Sequence, residues 1–134
     1  MRYMLDTNTC IAIIKKRPPE LKKRLKRLSI GEVGVSSVVI AELWYGIIQS
    51  YKRKHNEEAL SEFLQYVTVS DWSAHAAPEY GRIRADLRKK GTPIGAMDLL
   101  IAAHALALNA VVVTANVKEF RRVSNLKVEN WITR

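Results

Sequence analysis

Residues 96–116 have the sequence AMDLLIAAHALALNAVVVTAN, which contains the two patterns that decide the fold. From Ala96 to Leu108 the side chains are apolar almost all round, which predicts a helix covered by protein on most sides. From Ala110 to Val113 a β-branched run predicts a buried strand, and a polar turn follows at residues 114–116. A buried helix that leads into a buried strand is typical of an α/β protein.

The same alternation extends outward in both directions. We predict further strands at residues 2–5, 35–37, 67–69 and 126–128. We predict helices ending near Lys15, over Leu21–Leu28, over Val38–Ser50, through Leu60–Leu64 after a polar turn at 55–56, and over Ser73–Lys90. Gly31 and Gly34 are expected to break the chain between the second helix and second strand. Strands that alternate with helices favour a mainly parallel sheet, and residues 1–134 are expected to form one domain.

Composition narrows the class of protein. No run approaches the roughly 20 apolar residues of a membrane-spanning helix, and Asp6 interrupts the apolar start where a secretory signal would continue. Because Cys10 is the only cysteine, the chain forms no internal disulfide. These features predict a cytoplasmic protein with no membrane partner. The net charge of +9, from 22 basic and 13 acidic residues, favours a polyanionic partner such as nucleic acid.

Three acids stand in apolar surroundings. Asp98 and Glu42 lie in helical segments without basic neighbours, and Asp6 closes the first strand, at the sheet edge where open α/β folds place their ligands. A lone buried carboxylate costs several kcal/mol, so each should have a compensating partner. For Asp98 the free backbone N–H groups of its helix start could suffice. Glu42, which is predicted to be mid-helix, has no such explanation.

A divalent cation would explain all three acids together. Two carboxylates about 4 Å apart repel by about 4 kcal/mol at an effective dielectric near 20, and a cation removes this repulsion. Ligation by oxygen alone favours Mg²⁺ or Mn²⁺ over Zn²⁺. The three histidines have no ligand spacing and are expected to be structural or on the surface.

The turn after the strand at 110–113 is a further candidate, because it lies at the same sheet edge as Asp6. Thr114 and Asn116 offer neutral oxygens, and Glu119 offers a charge three residues later. An ordinary Asn-bearing turn with Glu119 in the next helical turn is an equal alternative. Asn8 is similarly open, since it could serve only to cap a helix.

Six segments together resemble the PIN-domain nucleases and, within them, the VapC toxins. They are MLDTN at 4–8, SSVVIAEL at 36–43, PIGAMD at 93–98, IAAHA at 101–105, VTANVKEF at 113–120 and VENW at 128–131. The resemblance implies a PIN-like α/β/α sandwich with a central, mainly parallel sheet. It also implies catalysis and metal binding by three acids, with five supporting residues: Asp6, Glu42 and Asp98, with Thr7, Asn8, Thr114, Asn116 and Glu119. Many PIN domains have an aspartate where Asn116 stands, so a second metal would depend on Glu119.

The resemblance further implies a Mg²⁺-dependent endoribonuclease toxin, with Mn²⁺ as the alternative ion, that inhibits translation by hydrolysing RNA phosphodiesters. Its implied partners are a second copy of the chain, an RNA substrate such as tRNA, and a VapB antitoxin in the active-site groove. Relatives with this pattern resemble the group that cuts initiator tRNA. Four arginines are candidates to hold the RNA backbone: Arg82, Arg84, Arg88 and Arg121.

Two other classes of function remain open. A binding module without catalysis could recognise RNA or a partner helix through the same groove, and Asn116 gives this alternative some weight. A receiver-type signalling domain also uses strand-end carboxylates and a threonine. It needs a paired acid beside the first strand and a lysine after a later one, and neither is clear in this sequence.

Overall fold

The computed structural model describes residues 1–132, which form five strands and seven helices. In chain order these are β1 (Tyr3–Leu5), α1 (Thr7–Lys15), α2 (Pro19–Arg27), β2 (Val33–Ser36), α3 (Ser37–Gln49), α4 (Arg53–Leu64), β3 (Thr68–Ser70), α5 (Ala76–Lys89), α6 (Ala96–Leu108), β4 (Val111–Val113), α7 (Val117–Phe120) and β5 (Val128–Glu129). Within the described residues, no helix has both the length and the apolar character needed to cross a membrane.

All strands are parallel, in the order β3-β2-β1-β4-β5. The central strand β1 lies between β2 and β4, with Tyr3 opposite both Val33 and Val111. The chain moves from β1 outward to β3 and then crosses back to β4, so the strand order reverses between β1 and β4. Right-handed crossovers place α1–α4 on one face of the sheet and α5–α7 on the other. The expected parallel α/β/α sandwich is therefore confirmed.

Some predicted boundaries were wrong. Gly34 lies inside β2, and the Met1 side chain occupies the space where a Cβ on Gly34 would stand. His55 and Asn56 lie within α4 rather than in a turn. The turn comes earlier, where Ser50 ends α3 and accepts a hydrogen bond at Oγ from Asn56 Nδ2 (2.9 Å). In both cases tertiary packing overrides the local signal of a glycine or a polar pair.

Helix α2 shows how the basic segments are anchored. Leu21 and Leu25 are buried, as their spacing predicts. Between them, Arg24 lies over the ring of Trp131 at 4.4 Å, and Trp131 packs edge-on against Tyr3 of β1. The outer face of α2 can therefore be strongly charged while the helix stays fixed to the sheet.

His104 is a buried residue of α6 that joins three elements. Its Nδ1 lies 2.8 Å from Ser36 Oγ at the end of β2, and its Nε2 lies 3.2 Å from Ser70 Oγ at the end of β3. Burial lowers the pKa of His104 below its usual value of 6.5, and the nearby Asp71 opposes this effect. The imidazole is therefore neutral and structural, which confirms the sequence interpretation.

This buried imidazole predicts a stability loss in mild acid. Below pH 6.5 the histidine of the unfolded chain takes up a proton more readily than the folded one, so the free energy of unfolding falls as pH decreases toward the folded pKa. In His104→Gln this contribution is absent. Urea unfolding from pH 7.5 to 5.5 should show the wild type losing stability relative to the variant. A stability difference between wild type and variant that does not change with pH, or that moves in favour of the wild type as pH falls, would contradict the prediction.

Candidate active site at the reversal point of the sheet

Asp6 is held by hydrogen bonds at both of its carboxylate oxygens. It directly follows β1 and caps α1, with Oδ1 accepting a hydrogen bond from the Thr9 backbone N (2.9 Å). Its Oδ2 accepts a hydrogen bond from Thr114 Oγ1 (2.5 Å), and the residue is only 5% exposed. Both oxygens are oriented by the protein, so the carboxylate has a fixed direction at the sheet edge.

The two threonines around Asp6 tie β1 to β4. Thr9 Oγ1 donates to the Val113 carbonyl (3.1 Å), and Thr114 Oγ1 also accepts from the Asn116 backbone N (2.9 Å). The hydroxyl of Thr114 thus links the carboxylate to the turn that follows β4. This position is where open α/β sheets form their ligand crevice, because the connections leave it in opposite directions.

Asp98 lies in the first turn of α6 and is half-buried. Its pKa is raised to about 6, first by burial and then by the negative charges of Glu119 and Asp6. Asp98 also shares a hydrogen bond with Glu119 that disfavours its ionised form. Asp6, Asp98 and Glu119 therefore form one electrostatically coupled group, which we call the acid cluster.

Glu119 is held in the acid cluster by a clamped loop. Its Oε1 accepts from the Gly95 backbone N (2.8 Å), and its Oε2 accepts from Asn116 Nδ2. On the other side of the loop, Arg122 Nη1 donates to the Pro93 carbonyl (3.0 Å). The segment from Pro93 to Gly95, which leads into α6 and Asp98, is therefore fixed at one end to α7 and at the other to Arg122, just after α7.

Glu42 does not join the acid cluster. It lies half-buried in a groove of about 320 Å³ between α1, α3 and α4, and within residues 1–132 it has no hydrogen bond or ion pair. Glu42 is half-buried, whereas its apolar sequence surroundings had indicated an enclosed acid, and its role at a cation stays a prediction. Helix α3 is apolar in sequence, but the face opposite this groove is exposed at Trp44, Tyr45 and Ile48.

The remaining site residues predicted from the sequence differ in their burial and in their contacts. Thr7 Oγ1 is buried and has no hydrogen-bond partner, next to Asp6. Asn8 is exposed, and Asp6 rather than Asn8 caps α1. Arg82 pairs with Glu79, and Arg84 contacts Tyr80. The side chains of Arg88 and Arg121 are exposed and have no hydrogen bond or ion pair within the described residues.

The donor atoms suit a hard divalent cation. The cluster offers carboxylate oxygens and the free Thr7 hydroxyl, and Asp98 shows by its raised pKa that the group lacks a compensating positive charge. Within residues 1–132, no three Asp, Glu, His or Cys side chains already stand close enough to enclose an ion. Oxygen donors of this kind match Mg²⁺ or Mn²⁺, which retain several waters and need few protein ligands.

Three residues of the site were not recognised in the sequence. Thr9 was detectable, because it stands three positions after the capping Asp6, where the first free helical N–H is expected. Gly95 and Arg122 had no signal in the sequence. Their contacts with Glu119 and Pro93 join segments that are far apart along the chain.

Comparisons with known proteins agree on one family. The family model of the PIN domain matches residues 3–126. Ribonuclease VapC2 of Rickettsia felis is 46% identical over 132 residues, covering 98% of both chains. The tRNA(fMet)-specific endonuclease VapC of Salmonella typhimurium is 39% identical over 131 residues, again covering 98% of both. In the crystal structure of Rickettsia felis VapBC2 bound to a promoter DNA fragment, the matching chain has a TM-score of 0.91 and 43% identity, covering 98% of this chain and 99% of that one.

Removal of one charge from the acid cluster should lower the pKa of Asp98. In Glu119→Gln the amide oxygen can still accept from Gly95, but the negative charge is gone. The pKa of Asp98 should fall from about 6 and remain above 3.8, because burial persists. Carboxyl ¹³C NMR titration in EDTA measures this directly.

Glu79→Gln on α5 is the matched control, since it removes an acid outside the acid cluster. The prediction has a consequence for stability, because ionising Asp98 costs the folded state free energy as pH rises through 6. Above pH 6, the free energy of unfolding of Glu119→Gln should therefore be higher than that of the wild type. An unchanged or higher pKa of Asp98 would show that Glu119 does not act on it.

Proposed function

The chain belongs to the PIN-domain family, in the branch of the VapC ribonucleases, and on this basis we propose that it is an endoribonuclease toxin that hydrolyses RNA phosphodiester bonds. The observation that carries the proposal is the acid cluster at the sheet reversal. The charges of Asp6, Asp98 and Glu119 are coupled there, and none of the three carboxylates forms an ion pair with a basic side chain within residues 1–132. Membership of this family removes the receiver-type signalling domain from consideration.

We propose Mg²⁺, with Mn²⁺ as an alternative, as the cofactor. Asp6, Glu42 and Asp98 would hold it, and Glu119 would supply the carboxylate that many PIN domains have in an aspartate at the position of Asn116. When bound, the cation supplies Lewis acidity, which lowers the pKa of water and offsets charge on the phosphate oxygens. The buried, unpaired Thr7 hydroxyl supports the proposal, because it is a free donor beside this site.

The protein's own contribution is positioning. Asp6 is held by Thr9 and Thr114, so its carboxylate needs no reorganisation when substrate arrives. Thr7, Asn8, Thr114 and Asn116 are proposed to orient waters and ligands around it. The net charge of +9 attracts the polyanionic substrate toward a site that is itself acidic.

The proposed substrate is tRNA. The relative from Salmonella typhimurium is named a tRNA(fMet)-specific endonuclease, and the initiator tRNA is therefore the first candidate for this chain. Cleavage of an initiator tRNA would stop translation, as a toxin does. We place the activity in the cytoplasm, where this substrate is found.

The groove that contains Glu42 is the proposed site of a VapB-like antitoxin. It is lined by apolar residues of three helices, among them Ile11, Leu43 and Ile47, with Lys15 and Glu42 as charged members. A segment bound there would cover Glu42, one of the three acids proposed to hold the cation. The opposite face of α3 exposes Trp44, Tyr45 and Ile48, and this apolar face supports a homodimer.

A catalytically inactive binding module is the second candidate function. The observation that favours it is Asn116, which stands where many PIN domains have an acid. Such a module would bind RNA and antitoxin through the same surfaces without cleaving RNA.

Cleavage of labelled initiator tRNA in Mg²⁺ or Mn²⁺ decides between the two functions. Asp6→Asn and Asp98→Asn should each lower the rate by roughly a hundredfold, equal to about 2.7 kcal/mol of transition-state stabilisation. EDTA should abolish the cleavage by the wild type. Asp71→Asn is the matched control, since Asp71 also follows a strand, β3, but lies outside the acid cluster. Equal rates for all four proteins, or cleavage that continues in EDTA, would contradict the proposal that these carboxylates bind a catalytic cation.

Gly46 offers a separate test of the antitoxin site. It lines the groove, and no atom lies within 4 Å of a Cβ added there. Gly46→Gln should therefore fold normally but fill the groove, at an overpacking cost of roughly 1–3 kcal/mol, or about five- to 150-fold in affinity. Titration calorimetry with a VapB antitoxin that binds the wild type gives the measurement. Gly81→Gln, at an equally open helical glycine of α5, is the control. An unchanged affinity for Gly46→Gln would exclude this groove.

A further inference from the structure

The charges of α5 are compensated unevenly. Arg82 and Lys90 form ion pairs within the helix, at 3.1 Å each, with Glu79 and Asp86. Arg84 and Arg88 have no ion pair within residues 1–132 and are exposed. They are four residues apart, so their side chains lie on the same face of the helix. Lys89 also has no ion pair within the described residues, but Arg84 and Arg88 are the two unpaired cations of α5 that share one face.

That face borders a groove of about 360 Å³ between α5 and the start of α6, which we call the α5–α6 groove. Its volume is in the range of small-molecule sites, roughly 300–1,000 Å³. Between the two arginines and Tyr80, the lining is apolar: Leu87, Pro93, Ile94, Ala96 and Leu99. An apolar floor with two cations at its rim matches a nucleotide, which has a flat base and a charged phosphate.

Arg84 is held in position before any ligand arrives. Its Nη1 donates to the Tyr80 hydroxyl (2.9 Å), and its guanidinium carbon lies 5.8 Å from the centre of the Tyr80 ring. Tyr80 in turn packs edge-on against Trp72. A guanidinium that is already oriented loses less side-chain entropy on binding a phosphate, and its plane can also stack on a base.

The α5–α6 groove and the acid cluster share the loop that leads into α6. Pro93 and Ile94 form part of its wall, and the next residue, Gly95, donates its N–H to Glu119. Ala96 and Leu99 line the groove from the same helical turn that carries Asp98. The groove and the acid cluster thus lie on two sides of one clamped loop, as neighbouring nucleotides of a bound strand would require.

We propose that the α5–α6 groove binds a nucleotide of the RNA strand next to the cleaved bond, with the base on the apolar floor and phosphates on Arg84 and Arg88. This rests on the proposed ribonuclease function. The proposal assigns this role to only two of the four arginines named from the sequence. Arg82 is neutralised by Glu79, and Arg121 lies outside the lining of the groove.

Binding measured without cleavage tests the subsite. The probe is a fluorescein-labelled 12-nucleotide single-stranded RNA in EDTA, followed by anisotropy from 50 to 200 mM NaCl. The variant is Arg84→Ala/Arg88→Ala. Its matched control is Lys23→Ala/Arg27→Ala on α2, which also removes two exposed charges, four residues apart, that have no ion pair in the described chain.

The double arginine variant should bind at least tenfold more weakly at the lowest salt. Its log–log salt slope should be smaller by about 1.4, since each phosphate contact with a single strand contributes about 0.7. The control should change both quantities much less. Ala96→Leu, which narrows the groove and leaves its charge intact, should weaken binding with an unchanged salt slope.

Several outcomes would overturn the subsite. They are wild-type binding by Arg84→Ala/Arg88→Ala, equal losses in the α2 control, or unchanged binding by Ala96→Leu. A shift of oligomeric state in gel filtration, with RNA affinity unchanged, would assign this face to a protein contact instead. If the nuclease proposal alone failed, the protein would not cleave RNA in Mg²⁺, but its RNA binding in EDTA would still depend on Arg84 and Arg88.

Discussion

The hydrogen bond from Thr114 Oγ1 to Asp6 Oδ2, at 2.5 Å, joins the ends of the two strands between which the sheet reverses direction. The connections leave β1 and β4 toward opposite sides, so no helix covers the gap between these strand ends. A carboxylate at this point is exposed to ligand but needs support from below. Thr114 provides it at one oxygen and the start of α1 at the other.

The acid cluster lowers the stability of the fold, and the surrounding contacts compensate for it. Asp98 is forced toward its neutral form by burial and by two other acids, which a purely structural helix start would avoid. The loop before α6 is held by Glu119 at Gly95 and by Arg122 at Pro93. These contacts keep Asp98 near charges that repel it. Repulsion of this kind is typical of functional sites.

The sequence predicts the sheet and half of the site. Residues 110–114 combine a β-branched strand with a polar end, so their place beside Asp6 follows from strand alternation alone. Glu42 shows the limit of this reasoning, because an apolar helix was taken to be a buried one. Helix α3 instead exposes Trp44, Tyr45 and Ile48, and a sequence cannot distinguish side chains that face a core from those that face a partner. The clamps by Glu119 and Arg122 depend on long-range geometry and have no local pattern.

The distribution of charge explains how an acidic site can serve a polyanion. The chain has nine more basic than acidic residues, and many of the basic side chains lie on the exposed faces of α2 and α5, whereas Asp6 and Glu119 are held by hydrogen bonds at the sheet edge. At the Debye length of about 8 Å in physiological salt, a phosphate on Arg84 or Arg88 is little affected by carboxylates beyond that distance. Only the phosphate that reaches the acid cluster meets its full negative field. That phosphate needs a cation in the acid cluster. Binding of the RNA strand and selection of the bond to be cleaved are therefore separate properties of the same surface.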